Sequence, residues 1–551
     1  MKNRDGPRSP VVPLVVFLAL FYLLTHPGPP DRGDENTMLL MAESMVFEGR
    51  LSVEPRAGRP TLVLGKDGMY YTKLGIGQSL AEAPFLFVGR TVGRVLVPRE
   101  KVLAFGRFFA GLLPVTLTVL TTVMLYMLAG KLGYGKLVAL VASAVFGVAT
   151  LAWPYAGSLL SEPLQMACFM LCVWGLWRWG AGGSGAWLAS AAFGLGFAIT
   201  AKPAVAVALP FVTISAAMVM ARNCGRDLRG WAVHVALWAA PLALWSAVNL
   251  WYNWARFGSL FSLGYETLER DVEIGFGTPW FTGIYGLLLS AGKGLLLYVP
   301  VSVLALFGAA RFWRKDRWLT LLVAGISVPV LLVSARWHGW HGDYSWGPRY
   351  IAPLMPLIVL LTLPVWARSI EERSAVRRIA LIALVVLSVI VQALGVFVDP
   401  KRYPHLVHYF TDTQVVYSRS DEKTRDDLLL NHFVPEFSPI VAHVWLLRYG
   451  LDATFVADTP EVRQRAAENA PWLSLNRSWT VRVGGADGIG EGFLMLNSWS
   501  VKWRHVMLDR PVPALSLMML LGLGTGASAV WVVIRARRLE LAGALLARTK
   551  R

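Results

Sequence analysis

The sequence predicts an all-α polytopic membrane protein, and three observations carry that prediction. Of the 551 residues, 55% are apolar and only 16% are charged, against about 25% charged in a typical soluble domain. The apolar residues gather in runs long enough to cross a bilayer, which takes roughly 20 residues. The basic residues, which bring the net charge to +18, punctuate the ends of those runs. They do not collect on one polar face, and this argues against nucleic acid as a partner.

The elements follow in chain order. Lys2, Arg4 and Arg8 precede the first apolar run, from Pro10 to about Thr25, and so imitate a signal peptide. The run ends in Thr25-His26-Pro27-Gly28-Pro29-Pro30, without the small-x-small pattern that a signal peptidase cuts. It is read as a retained first span. Further candidate spans lie near 102–130, 137–154, 162–180, 186–201, 204–221, 230–252, 288–310, 318–334, 350–367, 378–398 and 511–534, making about 12 in all. The stretch 186–221 reads equally as one broken pair.

Short loops on one side carry Lys131 and Lys136; Arg222, Arg226 and Arg229; Arg311, Arg314, Lys315 and Arg317; and Arg368, Arg373, Arg377 and Arg378. The tail adds Arg535, Arg537 and Arg538. With the basic N-terminus, these loops satisfy the positive-inside rule for a single topology, with both termini cytoplasmic. That topology exports the long polar segments near 27–101, 253–287, 337–344 and 399–510. The last of these is large enough, at about 110 residues, to be a small domain that only just sustains a core. The three cysteines are too few for a disulfide framework. No repeat, low-complexity tract or GxxxxGK[ST] phosphate loop is present.

Unusual polar residues converge on the exported side. Gly33-Asp34-Glu35-Asn36 follows the first span at once, and Met38, Met41, Ala42 and Met45 continue at helical spacing. Carboxylates beside lipid are costly and mark a functional site; Asp is also a favoured helix cap, so both readings stand for Asp34. Ser161-Glu162 opens another span, and Lys202 lies before Pro203 in the break between two more. Lys293 sits in Ser290-Ala291-Gly292-Lys293-Gly294, and Arg349 begins a span in Trp346-Gly347-Pro348-Arg349-Tyr350. Too few acids lie nearby in sequence to neutralise all three cations, so a phosphate headgroup is one expected partner. Snorkelling of the long basic chains to the interface is the other reading. His338, His341 and Asp343 are close enough in sequence to share a metal ion, although their spacing matches no strong zinc signature. They are weak candidates, and no metal is assigned.

In order along the chain, these motifs resemble the glycosyltransferase-C superfamily, nearest its protein O-mannosyltransferase and lipid A aminoarabinose transferase branch. Gly33-Asp34-Glu35 with Met41-Ala42-Glu43-Ser44 resembles the start of the first outer loop of that family. Tyr70-Tyr71-Thr72-Lys73-Leu74-Gly75 and Glu82-Ala83-Pro84 resemble its second half. Ser161-Glu162, Thr200-Ala201-Lys202-Pro203 and Gly347-Pro348-Arg349-Tyr350 complete the series, which covers about 1–370. Asn36-Thr37-Met38 departs from the aromatic often found shortly after the acidic pair.

The resemblance implies inverting transfer of a sugar from a polyprenyl-phosphate carrier to an acceptor on the outer face, in a cell inner membrane. Asp34 would be the general base, with Glu35 raising its pKa, and Glu162 would orient acceptor or sugar. Lys202 and Arg349, with Lys293 a weaker third, would hold the carrier phosphate. A divalent metal is used in the oligosaccharyltransferase branch and generally not in this one. The implied domains are 1–398, transmembrane and catalytic; 399–510, extracytoplasmic; and 511–551, a last span with a basic cytoplasmic tail. The acceptor (glycan, lipid or protein) is left open. A transporter or flippase, or a lipid-binding subunit without chemistry, are the rival readings. A transporter usually places its ionisable groups near the bilayer midplane and shows repeats, whereas here the acids fall at the outer rim.

Overall fold

The computed structural model describes residues 10–28, 33–54, 62–264, 275–342, 345–372, 374–398, 432–435, 438–444, 447 and 511–549. The expected segment 399–510 therefore lies mostly outside the described residues, as does Asp343.

In chain order the helices are α1 (Val11–Leu24), α2 (Gly33–Phe47), α3 (Ile76–Leu96), α4 (Val102–Ala110), α5 (Leu112–Ala129), α6 (Gly135–Ala149), α7 (Ala152–Ala156), α8 (Glu162–Gly180), α9 (Gly185–Ala201), α10 (Leu209–Cys224), α11 (Leu228–Phe257), α12 (Trp280–Leu288), α13 (Leu295–Tyr298), α14 (Leu304–Lys315), α15 (Arg317–Arg336), α16 (Met355–Glu372), α17 (Ala375–Phe397) and α18 (Pro511–Thr549). Local chemistry sets several boundaries. The Asp227 side chain caps α11 by accepting from the Arg229 N–H. Asp316 caps α15 through the Leu319 N–H in the same way. Gly258, left-handed at φ 73°, ends α11.

The chain is a polytopic membrane protein. Among the described residues, seven stretches are long and apolar enough to cross a bilayer, one of them the 51-residue Arg99–Ala149, which contains α4, α5 and α6. Two shorter apolar helices, α1 and α9, accompany them. The expected span at 288–310 is not one helix. Gly292 and Gly294 interrupt it after α12, and Pro300 opens a short 3₁₀ turn before α14. Glycine and proline are the residues a helix interior tolerates least.

The fold is also not wholly helical. Strands β1 (Leu62–Leu64) and β2 (Tyr70–Thr72) form an antiparallel hairpin between α2 and α3, with Val63 opposite Tyr71. The Gly65 N–H bonds to the Met69 carbonyl at 2.7 Å across its tip.

One contiguous core joins α1, α5, α6, α8, α9, α15 and α16, with α8 packed on α9 and α5, α6 on α16, and α18 along α1. The start of α3 meets the end of α9 backbone to backbone. A Cβ on Gly77 would fall 2.5 Å from the Ala201 nitrogen and 2.8 Å from its Cα. Backbone atoms cannot swing aside as a flexible side chain can. Gly77→Val is therefore expected to abolish recovery of monodisperse protein. Gly130→Ala, where a Cβ meets nothing within 4 Å, serves as the neutral control. Equal size-exclusion profiles for the two variants would contradict this packing.

Candidate functional site

Alternation of the helices brings four chain segments to one end of the bundle. Asp34 is in the first turn of α2, just after α1; Glu162 opens α8; Lys202 follows α9; and Arg349 lies in a 3₁₀ turn leading into α16. The structure joins all four. Arg349 donates through Nε to Glu162 at 2.9 Å and through Nη1 to Asp34 at 3.0 Å. The Lys202 Nζ lies 3.9 Å from Glu162 and 3.6 Å from the centre of the Tyr350 ring.

Long-range contacts supply two carboxylates, Asp34 and Glu162, to two of the three cations, Arg349 and Lys202. Burying a charge is tolerable only with such pairing. The carboxylate of Asp34 is thus committed to a distant arginine, which a simple helix cap would not require. Its place in the first turn also suits the positive end of the helix dipole.

Exposure grades across the cluster and separates its members. The Glu162 side chain is 0% exposed and Arg349 11%, whereas Asp34 is 26% and Lys202 25% exposed. Glu162 is therefore the buried anchor that both cations reach. Asp34 and Lys202 are the groups most open to an incoming molecule. Glu35, adjacent to Asp34, turns aside and accepts a hydrogen bond from the Ser158 hydroxyl. Lys293 is buried and donates to the Ser345 carbonyl, four residues before Arg349.

Of the candidate metal ligands, Asp343 lies outside the described residues. His338 lies against Trp337, while His341 stacks on His432 with ring centres 4.6 Å apart. Among the described residues no three potential ligands come together. His432 is held neutral well below the usual histidine range, first by burial and then by the neighbouring His341 and Lys293.

Three further polar features were not candidate site residues in the sequence, although Glu43 and Glu82 fall within the quoted motifs. Glu43 of α2 takes a two-pronged bond from Arg107 of α4, at 2.6 and 2.9 Å. Arg256, near the end of α11, is buried and donates to the Thr72 carbonyl of β2 and to Asn253. A basic residue inside an otherwise apolar run was the available signal for both. Third, Glu82 of α3 is fully buried, accepts from the Gln78 amide at 2.9 Å, and leaves its Oε2 without a partner among the described residues.

Burial raises the Glu82 carboxyl well above its ordinary range, Glu35 and Glu43 add to the shift, and the Gln78 bond opposes it. The sign follows directly. The folded protein holds this proton more tightly than the unfolded chain, so stability from the neutral carboxyl is fully present below the ordinary glutamate pKa. It is lost as pH rises toward the raised value, by up to about 1.4 kcal/mol per pH unit. Glu82→Gln is expected to remove that slope and to unfold at higher temperature than wild type at pH 8 but not at pH 4.5. A melting-temperature difference independent of pH would contradict it.

Fold and site together define a polytopic membrane protein with a paired carboxylate–cation cluster at one end of its helices. No protein-family model matches the chain, and no curated protein does. Among solved structures, the chain is similar to the crystal structure of ArnT from Cupriavidus metallidurans bound to undecaprenyl phosphate, at 12% identity and a TM-score of 0.44, over 88% of this chain and 76% of that one.

Proposed function

We propose that the chain is an integral membrane glycosyltransferase that moves a sugar from a polyprenyl-phosphate carrier to an acceptor on the extracytoplasmic face, with inversion. The observation that carries this reading is the contact of Asp34, Glu162, Lys202 and Arg349, delivered from four distant segments. The motifs that resemble the glycosyltransferase-C pattern hold these same residues.

A sugar phosphodiester already has a good leaving group. The site then needs a base for the acceptor hydroxyl and cations for the departing phosphate. In this reading Lys202, the more exposed cation, meets the carrier phosphate first. The phosphate then competes with Asp34 for Arg349, whose planar fork suits phosphate oxygens. Displaced from Arg349, the Asp34 carboxylate is free to take the acceptor's proton. Glu162 holds both cations in place from below. Lys293 steadies the loop before Arg349 through the Ser345 carbonyl.

The same reading places about 12 spans in a cell inner membrane, with both termini cytoplasmic and 399–510 outside, as the charge bias of the loops supports. Direct displacement predicts a product of inverted anomeric configuration. NMR of the product from a donor of defined anomeric configuration checks this, and retention would rule out single displacement.

One observation favours a second reading. The Asp34–Arg349 pair is also what a purely structural carboxylate would make. A lipid-binding subunit without chemistry would bind the carrier and never turn it over.

A further inference from the structure

One cavity among the described residues lies away from this cluster. It holds about 800 Å³ and lies among α2, α3, the turn before α4 and the start of α4, within the usual range for a ligand site. Glu43 on its wall is nine residues beyond Asp34 on the same helix, which separates the two by about 13 Å along α2. Five arginines and three glutamates line the cavity.

The acids are already committed. Glu43 is engaged by Arg107, and Glu48 and Glu54 both pair with Arg50. Arg90, Arg94 and Arg99 have no carboxylate partner among the described residues. Arg90 rests its guanidinium 3.8 Å from the centre of the Phe47 ring, which fixes its position on the wall. Three guanidiniums therefore face one cavity with surplus positive charge, an arrangement that repels itself unless an anion is present.

The outer side of α3 indicates where such an anion comes from. Phe87, Val88, Val95 and Leu96 are exposed at 60%, 49%, 83% and 66%, beside Arg90 and Arg94 on the same helix. Apolar residues next to arginines on one helix are the signature of a membrane interface, where acyl chains meet the former and headgroups the latter. Snorkelling alone accounts for single arginines reaching outward. It does not account for three of them converging on a concave cavity.

We infer that this cavity is a binding site for the phosphate-bearing headgroup of an anionic membrane lipid, held by Arg90, Arg94 and Arg99 and separate from the Lys202–Arg349 cluster. The inference rests on the cavity itself and does not depend on the transferase reading.

The test uses the full-length protein in zwitterionic detergent micelles and fluorescent phosphatidic acid, with competition by unlabelled phosphatidic acid, phosphatidylcholine and inorganic phosphate. Saturable binding is expected, displaced by phosphatidic acid and at least tenfold less well by phosphatidylcholine or inorganic phosphate. The double variant Arg94→Gln/Arg99→Gln should weaken it at least tenfold. Both side chains are exposed, so the fold should survive, and Arg94→Lys/Arg99→Lys should recover part of the affinity. Lys202→Gln should leave it unchanged. Equal binding by wild type and the double Gln variant overturns the inference, and so does equal competition by phosphatidylcholine. Inorganic phosphate matching the lipid in potency overturns the lipid as the source of the anion. Loss on Lys202→Gln would place the lipid in the other cluster and equally contradict the site.

Discussion

Arg349→Met is expected to lower stability by about 3–5 kcal/mol, the cost of removing one partner from a buried ion pair. Arg349 is the hub that joins Asp34 to Glu162. Without it the fully buried Glu162 keeps, among the described residues, Lys202 as its one cation, at a distance of 3.9 Å. A carboxylate stranded in that surrounding must either pick up a proton or draw water in, and both routes loosen the end of α8. Arg349→Lys retains a charge but loses the planar fork that reaches two carboxylates at once, so it should fall between Met and wild type. Thermal unfolding in detergent reads the series. Equal melting temperatures for wild type and Arg349→Met would mean that the cluster contributes nothing to the fold. Because this variant damages scaffold and phosphate site together, its loss of donor binding alone does not establish chemistry.

Asp34→Asn separates the two. The amide is close in size to the carboxylate, keeps an oxygen for Arg349 and removes the base. General base catalysis contributes roughly 10²- to 10⁴-fold, so turnover should fall by that much. Donor binding should hold or tighten, because the carrier phosphate no longer competes with a carboxylate for Arg349. The fold should tolerate the change, since Asp34 is 26% exposed while Glu162 remains paired. A variant that lost binding and turnover in parallel would instead assign Asp34 to holding the site together.

Much of the site was legible because membranes make charged residues conspicuous. Asp34, Glu162, Lys202 and Arg349 each interrupt an apolar pattern near a span end, and alternation of the spans puts those ends on one face. What the sequence withheld was partnership. Nothing local says that Arg349 bonds both acids, or that Glu35 turns to Ser158, because these contacts depend on how α2, α8 and the 349–354 turn pack. Arg107 and Arg256 were passed over although they break apolar runs in the same way as Lys202. Their partners, Glu43 and the Thr72 carbonyl, lie far away in sequence, in α2 and β2. The hairpin at 62–72 escaped because three-residue strands are too short to show alternation. The span expected at 288–310 overlooked two glycines and a proline whose effect is to break a helix.

The central claim is that this cluster performs sugar transfer, with Asp34 as its base. The most direct measurement follows labelled sugar from a panel of polyprenyl-phosphate donors, with binding and turnover recorded side by side for wild type and Asp34→Asn. The account predicts that wild type binds and consumes a donor, while Asp34→Asn binds it at least as well and turns it over at least 100-fold more slowly. Equal turnover by the two proteins, or donor binding by wild type with no turnover at all, would contradict it.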